Sequence, residues 1–327
     1  MKQILKRLAL ACTRLLFTIM LGASVLPSAQ AAAPQVRTQG PGFHRVMVGD
    51  FEVTALLDGT HAFPIDAVVE GVSKAQIKRD LDEDFLQAPV QGSINAFLIN
   101  TGAKLVLVDA GASVLYGDCC GHLLANLRAS GYQPEQVDEI LLTHLHKDHV
   151  GGVDASGKMA FPNAILRVNQ AEADYWLNPA SKSKAPDFLA TFFDAAIASV
   201  APYVAANKVR PFIGDIELDA GIQAMALPGH TPGHTGYLIR SKGEGMLVWG
   251  DIVHVASIQM RTPEATVKYD STTTGAQRSR RSVMDMLATS HYTVGAAHIA
   301  FPGLGHIRRA GNKYEWVPLN YVGEPGK

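Results

Sequence analysis

The chain has 327 residues, 47% of them hydrophobic, and a formal net charge of −1. That length and composition allow a substantial buried core, which excludes an intrinsically disordered protein. The balance of 29 Lys and Arg against 30 Asp and Glu leaves no basic excess for a phosphate backbone, so we expect no nucleic-acid partner.

The N-terminus has the features of a secretory signal peptide. Basic residues precede an apolar run at 15–26, and the small residues of "SAQAAAP" follow it. We therefore expect residues 1–31 to be a signal peptide and residues 32–327 to be one domain that is periplasmic or secreted. An uncleaved anchor is the alternative, but the run is short for a membrane span. We expect no membrane association after the signal is removed.

Cysteine usage excludes a disulfide-stapled scaffold. Only Cys119 and Cys120 follow the predicted signal, and they are adjacent in the chain. They could bridge only through a strained ring between neighbouring residues. The simpler interpretation is two unpaired thiols near the start of a helix, with no catalytic role assigned.

Strands and helices alternate along the predicted domain. Short runs rich in Val, Ile and Leu and bounded by turn residues predict strands; in chain order they are "RVMVGDFEVTALLDG", "INAFLIN", "KLVLVDAG", "EILLTH", "AILRVN", "IQAMALPGH", "TGYLIR", "GMLVWGD" and "YTVGAAH". Apolar residues spaced three and four apart predict helices at 121–130, 170–177, 186–200 and 277–290. Strands that are apolar on both faces are typical of sheets covered by helices. A layered α/β or α+β sandwich follows.

A weak internal sequence similarity suggests that the domain has two similar halves. "KLVLVDAG" in the first half and "GMLVWGD" in the second are both apolar strands that end in an aspartate, Asp109 and Asp251 respectively. Chance similarity is the alternative interpretation. Both aspartates lie where a strand releases its side chains into a surface crevice.

The segment "LLTHLHKDHVGG" concentrates coordinating side chains. His144, His146, Asp148 and His149 lie within six residues, after an apolar strand. Imidazole and carboxylate are good ligands for borderline divalent cations. Loop or capping histidines are the alternative, but such clustering is unfavourable without a compensating cation. The segment therefore predicts a metal site.

Further candidate ligands close other predicted strands. His230 follows "ALPG", Asp251 follows "MLVWG", and His298 follows "YTVGAA". Each comes after an apolar run, with a small residue directly before it. A metal site built on the first segment would need partners of this kind.

The order of these motifs resembles the metallo-β-lactamase superfamily over nearly the whole predicted domain. The H-x-H-x-D-H segment comes first and is followed by "GHTPGH", Asp251 and His298. The resemblance implies an α+β fold, a four-layer αββα sandwich of two mixed β-sheets flanked by helices. It implies that His144, His146 and His230 bind one metal ion, that Asp148, His149 and His298 bind a second, and that Asp251 bridges both.

The resemblance also implies supporting residues behind the ligands. His234, the second histidine of "GHTPGH", is expected to hold the turn by hydrogen bonds without binding metal. Asp109 is expected to brace the metal loop in the same indirect way.

This ligand set implies hydrolysis by a metal-bridging hydroxide, because metal binding lowers the pKa of the water toward ~7. We expect two Zn²⁺ ions, although Mn, Co or Fe would also suit these ligands. His254, three residues after Asp251, is a candidate electrophile or proton donor; an exposed loop histidine is the alternative. No G-x-S-x-G nucleophile elbow is present.

The ending "HIAFPGLGH" and "GHTPGHT" are similar to secreted methyl parathion hydrolases and related lactonases. That resemblance implies a small ester, lactone or organophosphate triester as substrate. It also implies an aromatic pocket formed by Tyr116, Trp176 and Phe193. Core packing is the alternative for each of the three, and Phe192 competes with Phe193.

Other functions remain open from the sequence. A non-catalytic metal-binding protein on the same fold is one. A β-lactamase is disfavoured, because the commonest enzymes of this kind have a Cys ligand at the position of Asp251. A glyoxalase-type thioesterase would need a basic tail, and only "GHIRRAGNKYEW" resembles one. A phosphodiesterase or nuclease would need a basic cleft. A small-molecule substrate is the expected partner, and related enzymes are often homodimers.

Overall fold

A computed structural model describes residues 33–154 and 156–325 of the chain. The chain from Pro41 onward forms one compact unit. The described residues before it, 33–40, contain no helix or strand. The predicted signal peptide, residues 1–31, lies outside the described residues.

The described strands belong to two large mixed sheets and one short pair. In chain order, β1 to β16 are Phe43–Val48, Phe51–Phe63, Val69–Glu70, Val90–Asn100, Leu105–Val108, Glu139–Leu141, Ile165–Asn169, Val209–Phe212, Ile216–Asp219, Ile222–Ala226, Thr235–Ser241, Glu244–Val248, Thr266–Val267, Thr293–Gly295, Leu304–Ala310 and Lys313–Pro318. The first sheet has the order β1-β2-β4-β5-β6-β7-β8, the second has the order β16-β15-β14-β12-β11-β10-β9, and β13 pairs with β3.

The helices connect the strands and cover the sheets. In chain order, α1 to α9 are Ile65–Val68, Lys74–Glu83, Leu123–Ala129, Lys147–Val150, Gln170–Trp176, Pro179–Lys182, Ala190–Ala205, Ala256–Gln259 and Thr273–Ser290. Short 3₁₀ turns are found at Ser113–Cys119, Pro134–Gln136, Gly151–Val153, Asp187–Leu189 and Gly250–Ile252.

Alternation along the strands produces the layers. In β5, Leu107 packs toward α3 and α7, whereas Val106 packs between the two sheets. In β12, Leu247 packs against α9, while Met246 packs between the sheets. Each sheet is therefore buried on both faces, and the order of layers is helix, sheet, sheet, helix. The expected α+β, four-layer αββα sandwich is confirmed.

Some helices differ from the sequence-based expectation. Helix α9 begins at Thr273 rather than at 277, because its first turn is polar and lacks the apolar spacing. Helix α7 continues through Pro202 to Ala205, beyond the expected end at 200. Helix α2 was not expected, since in "KAQIKRDLDE" only Ile77 and Leu81 provide apolar contacts.

One described segment, Asp187–Ala205, is long and apolar enough to cross a membrane by length and composition alone. Its inward side chains, among them Phe193, Val200 and Tyr203, are buried against the first sheet. Core packing accounts for its apolar character.

Parallel pairing places the predicted site at one edge of each sheet. Strand β5 is parallel to β6, and β12 is parallel to β14. Carboxyl ends of neighbouring parallel strands meet at the same edge. The segments after β5, β6, β12 and β14 lie at these edges and carry Asp109 and six of the seven candidate ligands. The seventh, His230, lies between β10 and β11. β5 and β12 are also the middle strands of their sheets, as the internal sequence similarity suggested.

A buried carboxylate organises the segment after β5. Asp58 accepts hydrogen bonds from the backbone N–H groups of Ala112 and Ser113 through Oδ2, and from those of Gly121 and Leu123 through Oδ1. Asp58 is 1% exposed. One side chain thus holds both ends of the segment 112–123, which we call the clamped segment.

We expect Asp58→Asn to destabilise the protein by about 2–4 kcal/mol, because an amide leaves buried N–H groups without acceptors. Urea unfolding followed by circular dichroism measures the change. Asp118→Asn, an exposed position in the clamped segment, is the matched control. Equal stability of the two variants would contradict this role.

Candidate metal centre

The H-x-H-x-D-H segment turns into a helix just after β6, and this turn gathers its side chains. His144 lies in the loop after the strand, and His146 directly precedes α4 with an extended backbone. Asp148 and His149 lie in the first turns of α4. All four side chains are buried, as ligands at the base of a cleft must be.

The structure brings the seven candidate ligands together in two groups. One group is His144, His146, His230 and Asp251; the other is Asp148, His149 and His298. Within each group, the candidate donor atoms lie within 4.8 Å of one another. These groups match the two ligand sets implied by the family resemblance.

Asp251 lies between the two groups, and its carboxylate oxygens contact histidines of both. Its Oδ1 is 3.1 Å from Nε2 of His149 and 3.2 Å from Nε2 of His298, which also lies 3.3 Å from Oδ2. Its Oδ2 is 3.3 Å from Nε2 of His230 and 3.7 Å from Nε2 of His144. A carboxylate shared in this way is suited to bridge two cations.

Unpaired buried atoms show that this arrangement fits divalent cations. Nε2 of His144, Nε2 of His149 and Oδ1 of Asp251 are buried without a hydrogen-bond partner. Nδ1 of His146 faces Nε2 of His230 at 3.0 Å. Buried polar atoms without partners are costly, and imidazole with carboxylate is a donor set that zinc and related ions accept.

The shifted pKa values reflect the same concentration of charge. Burial would raise the pKa of Asp251, but the surrounding histidines, first His149 and His298, hold it well below its usual range. Burial would lower the pKa of His149, but Asp251 and Asp109 raise it well above its usual range. The buried carboxylates are therefore stabilised by positive charge. Bound cations would provide this charge in place of the protons on the histidines.

Hydrogen bonds behind the ligands orient their rings. His149 Nδ1 lies 2.8 Å from Asp109 Oδ2, and Asp109 also accepts from Thr143 N and Oγ1 at 2.8 Å. His298 Nδ1 donates to the carbonyl of Ser93 at 2.9 Å. These contacts leave Nε2 of each ring directed into the cluster. Asp109 thus braces the metal loop, where the resemblance placed it.

His234 supports Asp251 through the backbone. Its Nδ1 lies 3.2 Å from the carbonyl of Leu227, and its Nε2 accepts from the N–H of Asp251 at 2.9 Å. Burial lowers the pKa of His234 to about 3, which keeps the ring neutral and able to accept. This is the hydrogen-bonding role that the sequence predicted.

Two carboxylates of the site were missed by the sequence analysis. Asp270 Oδ1 lies 2.7 Å from Nδ1 of His230. Glu172 is fully buried and accepts from the N–H groups of Leu145 and Gly233, both at 2.9 Å. Glu172 therefore ties the first metal loop to the "GHTPGH" turn. Both lie in segments without a recognisable motif.

His254 lies beside the ligand cluster rather than on an exposed loop. It is 4% exposed, its Nε2 is 3.1 Å from Asp251 Oδ2, and its ring stacks on that of His298 with 5.6 Å between centroids. Its backbone N–H donates to Oε1 of Gln259 at 2.7 Å. Its Nε2 thus faces the Asp251 carboxylate, whereas its Nδ1 has no hydrogen-bond partner among the described residues and is available to a ligand.

A cavity of about 170 Å³ opens over the cluster. Its lining is mainly aromatic and apolar, with candidate ligands at the base: His61, Phe63, Pro64, Val68, Tyr116, His146, Asp148, Phe192, Asp251, His254 and Tyr269. Tyr116 lines the cavity as predicted. His61, Phe63 and Tyr269 were not predicted, because single aromatic residues on strands and loops carry no sequence signal.

The expected pocket roles of Trp176 and Phe193 are wrong. Both are fully buried in the core under the first sheet, 1% and 0% exposed. Phe192 lines the cavity instead, because consecutive residues of a helix point about 100° apart. Trp176 still packs edge-on against His146, with 5.0 Å between ring centroids, so it supports a ligand from behind.

Lys147 connects two walls of the cavity. Its Nζ lies 4.6 Å from the ring centre of Tyr116 and 5.1 Å from that of Phe192. Tyr116 in turn stacks on His61, with 4.8 Å between centroids. A cation held between two aromatic faces stabilises their spacing.

Residues 89–298 match the model of the metallo-beta-lactamase superfamily, and the chain belongs to this superfamily of hydrolases. Among solved structures, it is similar to hydrolase AbOPH of the beta lactamase superfamily, with 37% identity, a TM-score of 0.83, and coverage of 87% of this chain and 100% of that one. AidC, a dizinc quorum-quenching lactonase in complex with a product, is 27% identical with a TM-score of 0.79, over 86% and 99% of the two chains.

Curated relatives match over shorter stretches. The Beta-lactamase-like protein 2 homolog of Drosophila melanogaster is 29% identical over 170 residues, 50% of this chain and 48% of the relative. An N-acyl homoserine lactonase of Bacillus cereus is 29% identical over 122 residues, 37% of this chain and 40% of the relative. The chain thus spans half or less of the length of these relatives.

We expect Asp270→Asn to weaken metal binding about 10- to 100-fold, because the amide no longer orients His230 as a carboxylate does. Competition with a chromophoric chelator measures the affinity. Asp187→Asn, at an exposed position before α7, is the control. Unchanged metal affinity in Asp270→Asn would show that the Asp270–His230 contact does not tune the site.

Proposed function

We propose that the protein is a dinuclear metal-dependent hydrolase of a small ester, lactone or phosphotriester. The observation that carries the proposal is the position of the Asp251 carboxylate between two groups of candidate ligands, with histidines of both groups in contact with it. We expect zinc in both positions. The N-terminal sequence supports a periplasmic or secreted location.

Two divalent cations held there would supply Lewis acidity and a nucleophile from water at neutral pH. The first group would hold one cation and the second group the other, with Asp251 common to both. The side chains behind them fix each ring before substrate arrives, so little reorganisation accompanies the reaction.

Donors at the cavity can stabilise the charge that develops on the substrate. Burial raises the pKa of Tyr116 and of Tyr269 well above their usual value, so both hydroxyls remain protonated donors. His254 lines the same cavity, and its Nδ1 has no hydrogen-bond partner among the described residues. We assign to His254 the role of hydrogen-bond or proton donor to the reacting oxygen, because its ring contacts Asp251.

The cavity favours a compact substrate with an apolar group. Its walls include Phe63, Val68, Phe192 and Tyr269, and its volume is about 170 Å³. Such a cavity fits an aryl or short acyl group beside the reacting bond. The lactonase activity named for AidC and for the Bacillus cereus relative supports a lactone as one candidate.

Activity against three substrate classes tests the proposal. Purified protein loaded with Zn²⁺ is assayed with an aryl ester, an N-acyl homoserine lactone and an aryl phosphotriester, and chelator-treated protein is the control. We expect metal-dependent hydrolysis of at least one. Stoichiometric metal binding without hydrolysis of any would favour the alternative, a non-catalytic metal-binding protein on this fold.

We expect His254→Ala to lower kcat about 10²-fold, as loss of a proton or hydrogen-bond donor does, while metal content stays at the wild-type value. Steady-state kinetics and elemental analysis of the same sample make the comparison. His122→Ala removes an exposed imidazole and is the control. Equal kcat in His254→Ala and wild type would remove the proposed role.

We expect Lys147→Met to raise KM for an aryl ester about three- to tenfold with a smaller change in kcat, because the two aromatic walls lose their cation–π contact. Lys147→Arg should restore most of the affinity. Lys242→Met serves as control, since Lys242 lies in the turn between β11 and β12, at the opposite end of these strands from the metal centre. A change confined to kcat would contradict this role.

A further inference from the structure

The adjacent thiols Cys119 and Cys120 occupy a defined position beside the cavity. Their Sγ atoms lie 2.8 Å apart, and both side chains pack with Ile94 and Tyr116. Neither thiol has a role in the proposed hydrolysis. They lie in the clamped segment, whose two ends are held by Asp58.

We propose that Cys119 and Cys120 are a redox modification site, which forms a reversible disulfide with a small-molecule disulfide as oxidant, and that this bond alters the cavity through Tyr116. The side chains already point to the same side, so the sulfur atoms can join without unfolding. Neighbouring Cα atoms are only ~3.8 Å apart, closer than ordinary disulfides require. Such strain makes the bond easy to reduce, which suits a switch rather than a structural staple.

The burial of the two thiols sets the order of events. Cys119 is half-buried, whereas Cys120 is buried, and burial and the Cys119 contact raise the pKa of Cys120. The thiolate of Cys119 attacks one sulfur of the oxidant and displaces the other sulfur as a thiolate, so that Cys119 is left in a mixed disulfide. The thiolate of Cys120 then attacks Sγ of Cys119 and displaces the remaining half of the oxidant as a second thiolate. Two protons leave the cysteines, and the oxidant is reduced to two thiols.

The contacts of Cys119 connect the new bond to the cavity. Cys119 Sγ donates to the carbonyl of Tyr116 at 3.3 Å, and oxidation removes this donor. The backbone of Cys119 also packs closely on Gly59, where an added Cβ would lie 2.1 Å from the carbonyl oxygen of Cys119. We expect the strain to relax at Tyr116, next to Gly117, whose φ of +71° already breaks the 3₁₀ turn.

A shift of Tyr116 changes the cavity because this ring contacts two other groups there. It stacks on His61 and holds the ammonium group of Lys147. The inference about the cavity rests on the proposed function, whereas the inference about the disulfide does not. The two parts can therefore fail separately.

The disulfide is tested by mass spectrometry of the full chain after incubation with glutathione disulfide. We expect the peptide containing Cys119 and Cys120 to lose two hydrogen atoms and to regain them with dithiothreitol. In Cys120→Ser, we expect a stable glutathione adduct on Cys119, because the resolving thiol is missing. A stable adduct on the wild-type protein, or no modification, would overturn the proposal.

The effect on the cavity is tested in the same samples. We expect KM for an aryl ester to rise about threefold on oxidation, because the altered cavity binds the substrate less tightly. Dithiothreitol should restore the original KM. The double variant Cys119→Ser, Cys120→Ser should not respond to the oxidant. Amide hydrogen exchange at residues 114–118 gives a second readout that needs no hydrolysis. A formed disulfide with unchanged exchange and unchanged KM would refute the link to Tyr116, and absence of any hydrolysis would count against the proposed function alone.

Discussion

The burial of six coordinating side chains around the carboxylate of Asp251 is the constraint on which the rest of the structure depends. Asp251 and its neighbouring histidines lie too close together to be stable as unpaired polar groups. Divalent cations would relieve this conflict, and a rigid frame would keep the candidate ligands converged before the cations bind. The two sheets provide that frame, because parallel pairs in each sheet end at the same edge.

The frame continues outward through hydrogen bonds that fix each ligand. Three histidines are hydrogen-bonded through Nδ1: His149 to Asp109, His230 to Asp270 and His298 to the carbonyl of Ser93. Glu172 joins the two loops that carry the first group of ligands. The αββα core therefore orients ordinary side chains into a candidate metal centre, and under the proposed function the cavity above it would select the substrate.

The sequence indicated the layered fold class and the candidate ligands through local patterns, whereas the αββα arrangement and the two ligand sets came from the family resemblance. Four coordinating residues in six positions, and a candidate ligand after an apolar strand, are visible without coordinates. Glu172 and Asp270 were not visible, because a buried carboxylate and an exposed one look alike in a sequence. The pocket was partly wrong for a geometric reason: Phe192 and Phe193 are neighbours in the chain, but one faces the cavity and the other the core.

The clamped segment and Lys147 link the cavity to parts of the chain that bind no metal, so selectivity and reactivity can vary while the ligands stay constant. Metal content and hydrolysis, measured together on wild type and Asp251→Asn, test whether Asp251 bridges two cations. We predict two divalent cations per wild-type chain, with loss of at least one and of hydrolysis in the variant. Retention of both cations with undiminished hydrolysis would show that Asp251 is not the bridge.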